Sequence, residues 1–138
     1  MRHLAPPAFS HFPPDWHLSP IVDAEDYVFF SGVTGFHPDG RIDGDPERQF
    51  RDAFGFVQTN LAAVGLDWSA VVEMTTYHVD LRRHFDTFVR VKDEFVREPY
   101  PAWTAIGVSE LISPGTLLEI RVISKRPPAA RLSAENNA

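Results

Sequence analysis

Apolar residues recur along this chain with two different periods, and the alternation between them outlines the fold. From Phe50 onward, Ala53, Phe54, Val57, Leu61 and Val64 return every three or four positions, which predicts an amphipathic helix. Asp45-Pro46 supplies its start, a capping carboxylate followed by a proline tolerated in the first turn, and Gly65 its end. A second stripe through Phe85, Phe88, Val89, Phe95 and Val96 predicts a helix over His84–Arg97, closed by Pro99 and Pro101. The remaining runs read as strands. Tyr27–Val33 is apolar on both faces, Val71–Val79 is rich in β-branched residues, and Thr104–Val108 and Leu117–Ser124 flank a turn at Ser113-Pro114-Gly115. His37-Pro38-Asp39-Gly40-Arg41 carries an Asp-Gly turn signal for a hairpin or loop.

The resulting order, ββαβαββ, describes an α+β domain: a mixed sheet with two helices packed on one face. Two helices leave the other face bare, and Phe29, Trp103 and Leu117 are expected to make that face partly apolar. An uncovered apolar face marks an interface, so self-association is expected on physical grounds.

With 138 residues, a single domain is expected, with its core over about 16–126, an irregular proline-rich N-terminal arm (1–15) and a frayed C-terminal tail (127–138). An apolar fraction of 43% is that of a globular chain. A net charge of −6 with scattered basic residues argues against nucleic acid as a partner. There is no cysteine, which removes disulfide and thiolate chemistry. No apolar run is long enough to span a membrane, and the first residues lack a signal-peptide core, so the expected location is the cytoplasm.

Two residues sit awkwardly in their strands. Glu119 interrupts the run Leu117-Leu118-Glu119-Ile120-Arg121-Val122, where a carboxylate must find a partner or face a cavity. A bland reading pairs it with Arg121 on the same strand face or with a neighbouring subunit; a functional one uses a carboxylate whose pKa burial raises. Trp103 stands among small residues and serves equally well as interface filling or as a ligand-stacking wall. The six histidines show no metal-binding spacing, so no metal is expected, and His78 reads as a core histidine. Asn60 is expected to bond to neighbouring backbone. No Gly-x-Ser-x-Gly elbow surrounds Ser31, whose hydroxyl reads as a hydrogen-bonding wall rather than a nucleophile. No glycine-rich phosphate loop is present, so no nucleotide cofactor is implied.

Leu18-Ser19-Pro20-Ile21-Val22, Val28-Phe29-Phe30-Ser31-Gly32, Gln49, Asn60-Leu61, Ala63-Val64-Gly65, Val71–Tyr77 with Asp80, Pro101-Ala102, Gly107-Val108 and Leu118-Glu119-Ile120 together resemble the RidA/YjgF family, over Trp16–Lys125. The resemblance implies a chorismate-mutase-like fold, a homotrimer, and small-molecule clefts between subunits. It implies an enamine or imine deaminase chemistry in which Glu119 helps to position the hydrolytic water. It further implies a ligand cleft walled by Leu18, Ser31, Gly32, Trp103, Thr104, Ala105 and Gly107, with no cofactor; Arg121, which shares the Glu119 strand face, is the candidate to restore a positive charge there. The family's arginine after Pro-Ala, which grips a substrate carboxylate, aligns with Trp103, and a pocket tyrosine near His17 and Leu18 is missing. Those departures make a divergent hydrolase or deaminase of a small imine, enamine or amide-like compound the first expectation. A non-catalytic ligand-binding or regulatory trimer is the alternative.

Overall fold

The computed structural model of the chain describes residues 1–128. Seven strands form one sheet: β1 (Arg2–Leu4), β2 (Ile21–Ala24), β3 (Tyr27–Phe30), β4 (Val33–Thr34), β5 (Val71–His78), β6 (Ala102–Gly107) and β7 (Leu118–Lys125). The strands lie in the order β1-β2-β3-β7-β5-β6, with β4 beside β3 along β7. Every pairing is antiparallel except β5 with β6, which α3 (Leu81–Phe95) connects as a crossover. The other helices are α1 (Phe12–Trp16) and the long α2 (Pro46–Ala63).

Helix α2 forms as its sequence dictates. The Asp45 carboxylate accepts from the Arg48 amide at 3.1 Å, satisfying one of the free donors of the first turn. At the other end Gly65 adopts φ +72°, and the Gly65 and Leu66 amides close back onto the Ala62 and Leu61 carbonyls. One face of α2 buries Phe50, Ala53, Phe54, Val57 and Leu61 against the sheet, while α3 adds Phe88 and Val91. Sheet residues alternate to meet them: Leu118, Ile120 and Val122 of β7 and Met74 of β5 are buried. Truncating a ring such as Phe54 to alanine here would cost about 3–5 kcal/mol.

One backbone approach and one side chain set how closely α2 lies to the sheet. A Cβ at Gly35 would collide with the Gln49 carbonyl oxygen, so only glycine permits this approach. Gln49, itself buried, donates to the Asp43 and Gly115 carbonyls and accepts from the Leu117 amide at 2.7 Å, fastening the helix to the loop that launches β7.

Several expectations need correction. The N-terminal arm is not irregular: it carries β1, a short helical turn at Pro7–Phe9, and α1, because Phe9 is buried among Phe12, Phe36 and Phe56 and anchors the segment. The run Tyr27–Val33 is broken at Ser31-Gly32, where the Ser31 amide and hydroxyl turn toward the Pro20 and Ser19 carbonyls. Helix α3 starts three residues earlier than expected, since Asp80 in the left-handed conformation (φ 55°) turns the chain directly out of β5. The buried Asn60 side chain makes no backbone bond; α2 turns it into the core, and its carboxamide has no hydrogen-bond partner among the described residues. The tail beyond Pro128 lies outside the described residues. Among the described residues no helix is long and apolar enough to cross a membrane.

One carboxylate ties β1 to the segment that follows β7. Asp23, buried on β2, accepts from Arg2 at 2.9 Å and from Arg126 at 2.6 Å, and Arg126 also donates to the Val64 carbonyl at the end of α2. Burial pushes the Asp23 pKa up, but the two arginines more than offset this and hold it below the ordinary value. A depressed pKa means stability that is present above the unfolded-state value and is lost as pH falls through the folded one. Thermal melting from pH 6 to pH 2.5 should therefore show a steep loss below about pH 4 that is shallower in Asp23→Asn. That variant should lose roughly 1–3 kcal/mol at neutral pH; an unaltered acid profile would remove Asp23 from this role.

Candidate functional site

Strand β7 divides its side chains between two environments. Leu118, Ile120, Val122 and Ser124 enter the core, so Glu119, Arg121 and Ile123 face the side that carries no helix. Glu119 is in register with Thr34 on β4 and Tyr77 on β5, and Tyr77 in turn with Ile106 on β6. The next row holds Arg121, Thr75 and Thr104. The row beyond holds Phe29, Ile123 and Glu73.

The Glu119 side chain lies across Gly32: a Cβ added there would stand 2.8 Å from Glu119 Cδ and 2.9 Å from Oε2. The glycine therefore makes the floor on which the carboxylate rests. Glu119 is half-buried, and burial alone pushes its pKa above the ordinary value. No hydrogen bond or ion pair engages it among the described residues, and Arg121, two residues along the same face, does not reach it. A carboxylate that is desolvated without a partner destabilises the ionised form and favours any group that can donate to it.

Ser31 adjoins this floor. Its hydroxyl donates to the Ser19 carbonyl at 2.7 Å, which leaves the oxygen free to accept but commits its proton. Leu18, exposed beside Ser19, lies at the same end of the sheet. Leu18, Ser31, Gly32, Glu119, Arg121 and Thr104 are thus brought to the open side and its rim.

Trp103 is not. Its register partner is Met74, a buried residue, so Trp103, Ala105 and Gly107 point to the helix side of β6, and the expected position of Trp103 on the bare face is wrong. Leu117 is also displaced from that face, since it packs against the core just before β7 begins, whereas Phe29 is exposed there as expected. The Trp103 indole stacks on Phe85 (centroids 6.2 Å apart, planes 4° apart) and tilts against Phe88. Its Nε1 donates to Thr76 Oγ1 at 3.0 Å, and the same oxygen lies 2.7 Å from His78 Nε2. Because Thr76 accepts from the indole, its own proton is available to His78, which fits a neutral imidazole. Burial lowers the His78 pKa to about 4, so it is the core histidine that its strand position predicts.

Beside Trp103, between α3 and the edge of the sheet, lies a cleft of about 930 Å³ lined by Phe85, Lys92, Arg97, Tyr100 and Trp103 among others. Lys92 and Tyr100 escaped the sequence reading. The signal for Lys92 was present, since it follows Phe85 by seven positions and Phe88 by four and so shares their helix face.

The sequence profile of the Endoribonuclease L-PSP family matches residues 10–125. The RutC family protein YjgH of Escherichia coli (strain K12) is 36% identical over 110 residues, covering 79% of this chain and 82% of that protein. The solved structure of protein YjgH superposes with a TM-score of 0.81 at 32% identity, over 92% of this chain and 98% of that one. RidA from the Antarctic bacterium Psychrobacter sp. PAMC 21119 gives a TM-score of 0.73 at 27% identity, over 79% and 88% of the two chains. E. coli TdcF with bound serine gives 0.72 at 30% identity, over 80% and 88%. The chorismate-mutase-like architecture of these proteins is the one described above.

Glu119 should titrate above the ordinary glutamate value in a carbon-detected NMR experiment. Gly32→Ala should push the side chain toward solvent and bring that pKa back down, with a melting temperature lowered by only a few degrees because the far end of a flexible side chain yields. A Glu119 pKa equal in both proteins would contradict the packing described.

Proposed function

The chain belongs to the Endoribonuclease L-PSP family, also called RidA/YjgF, and from that premise we propose that it is a divergent hydrolase of small imines, enamines or amide-like compounds, working in a cleft between subunits of a homotrimer. The observation that carries this reading is the unpartnered, half-buried Glu119 resting on Gly32. A carboxylate in that state holds a water molecule readily and takes a proton from it more readily than an exposed one. For an imine, that water adds to the C=N carbon while Glu119 accepts its proton. The proton passes to the nitrogen to give a carbinolamine; its hydroxyl proton then follows to the same nitrogen by way of Glu119, the C–N bond breaks, and ammonia leaves behind a carbonyl compound. An enamine enters the same sequence after tautomerising.

The assembly is part of the same proposal. Within one chain Glu119 and Trp103 are on opposite sides of the sheet, so the two halves of the expected site meet only if a second subunit brings its Trp103 side to the first one's open face. Two features favour such packing: apolar and aromatic side chains on the open side, with Phe29 39% and Ile106 40% exposed, and an outer edge of β6 that pairs with no other strand among the described residues. TdcF, solved with serine bound, favours a small amino-acid-like ligand for a relative of this chain. Light scattering at micromolar concentration should give a trimer, and a monomer at neutral pH would remove the shared cleft.

Trp103 in place of the carboxylate-gripping arginine favours a second reading, a trimer that binds a ligand without turning it over. Glu119→Gln separates the two. Because burial raises the Glu119 pKa, ionising it costs the fold stability above the unfolded-state value, and the neutral isostere removes that cost. The variant should melt no lower than the parent at pH 7 while losing about 100-fold or more in turnover of a small imine. Unchanged turnover in a stable trimer would leave the binding reading in its place.

A further inference from the structure

We propose that Lys92 is the anion anchor of the cleft beside Trp103, which takes a small carboxylate carrying a planar unsaturated or aromatic group. The inference rests on the reading of Trp103 as a ligand wall, and it names the ligand class and the cation that the reading above lacks. Lys92 is placed unusually for a lysine, its side chain only 12% exposed on the cleft-facing side of α3. Its Nζ sits 5.1 Å from the Trp103 ring centroid, held over the aromatic face. Among the described residues its ammonium makes a single hydrogen bond, 2.8 Å to the Asp93 carboxylate, and an ammonium has three donors. Asp93 is 60% exposed, so solvent screens that pair and an arriving carboxylate can share or displace it.

The alternatives within the chain are worse placed. Arg121 is on the opposite face of the sheet from Trp103 and does not line this cleft within the chain. Arg97 is exposed at the mouth and points a guanidinium N–H back to the Glu94 carbonyl at 3.4 Å. Glu98 and Asp93 bring negative charge to the rim, so a dianion is disfavoured and a monoanion favoured. The walls supply the rest of the specificity: Phe85, Tyr100 and Trp103 present ring surface, and Thr76 fixes the indole in place from behind.

Calorimetric titration of the intact protein with cinnamate, cinnamamide and acetate tests this. Cinnamate should bind, while the amide, which keeps the plane, and acetate, which keeps the charge, should each bind about tenfold more weakly or worse. Lys92→Met should weaken cinnamate by about tenfold or more and leave cinnamamide unchanged, and Lys92→Arg should keep most of the affinity. Melting temperatures and light scattering on the same preparations verify that both variants are folded and assembled as the parent is. Equal affinity for cinnamate and cinnamamide, equal binding by parent and Lys92→Met, or no cinnamate binding at all would overturn the assignment. Glu119→Gln separates it from the catalytic reading: that variant should still bind cinnamate, so loss of the one role leaves the other standing.

Discussion

The pairing of β7 with β5 governs everything else in this molecule. Both are eight residues long, they run antiparallel through the middle of the sheet, and each buries alternate side chains under α2 and α3. With a period of two, a slip of one residue would drive Glu119 and Arg121 beneath the helices and lift Leu118, Ile120 and Val122 into the open. Burying an ionised carboxylate unpaired costs several kcal/mol, and each lost apolar side chain removes about 1.5–3 kcal/mol more. The register is thus enforced by the core, and Glu119 is held at its position by residues on the opposite face of the sheet. Gln49 reinforces this from the helix, since it holds both the Gly115 carbonyl and the Leu117 amide at the entry to β7.

The same alternation explains why the chain divides its candidate residues between two sides. The parallel β5–β6 pairing matches Met74 with Trp103 and Tyr77 with Ile106, so neighbouring residues of β6 serve opposite faces. One side offers a carboxylate on a glycine floor, the other an aromatic cleft with a lysine over its tryptophan. A single sheet two faces thick cannot join them. Association of copies can, and it would also cover the outer edge of β6 and the exposed rings of the open face.

How much of this was legible depended on the range of the interaction. The α2 cap at Asp45 and its end at Gly65 were readable because both act within a few residues. The half-burial of Glu119 was readable from alternation along one strand. The N-terminal strand was not, because β1 is held through Asp23, which joins Arg2 to Arg126, a residue 103 positions further along the sequence than Asp23 itself. Trp103 was misplaced for a different reason: Ala102-Trp103-Thr104-Ala105-Ile106-Gly107 has no hydrophobic alternation, so the strand itself does not say which way it faces. Only pairing with Met74 decides it. Lys92 was overlooked because a lysine on a helix stripe reads as a solvated flank until the tryptophan beneath it is placed.

Local conflicts of this kind are informative in themselves. Most of the chain agrees with its own fold: caps sit at helix ends, apolar stripes meet apolar strand faces, and the clamp carboxylate Asp23 is paired twice. Asn60, unpartnered in the core, is one exception; Glu119 and Lys92 are two charged ones, the first desolvated without a partner and the second nearly buried with a single exposed counter-ion. The Glu119 arrangement does not benefit stability; a glutamine would fill the same space with less electrostatic cost. A chain that leaves hydrogen-bonding capacity unused at two charged positions, each beside open space, keeps it where a ligand can reach it. The opposite charges also divide the labour: the carboxylate, with its raised proton affinity, suits proton transfer, while the ammonium over the indole suits holding an anion still.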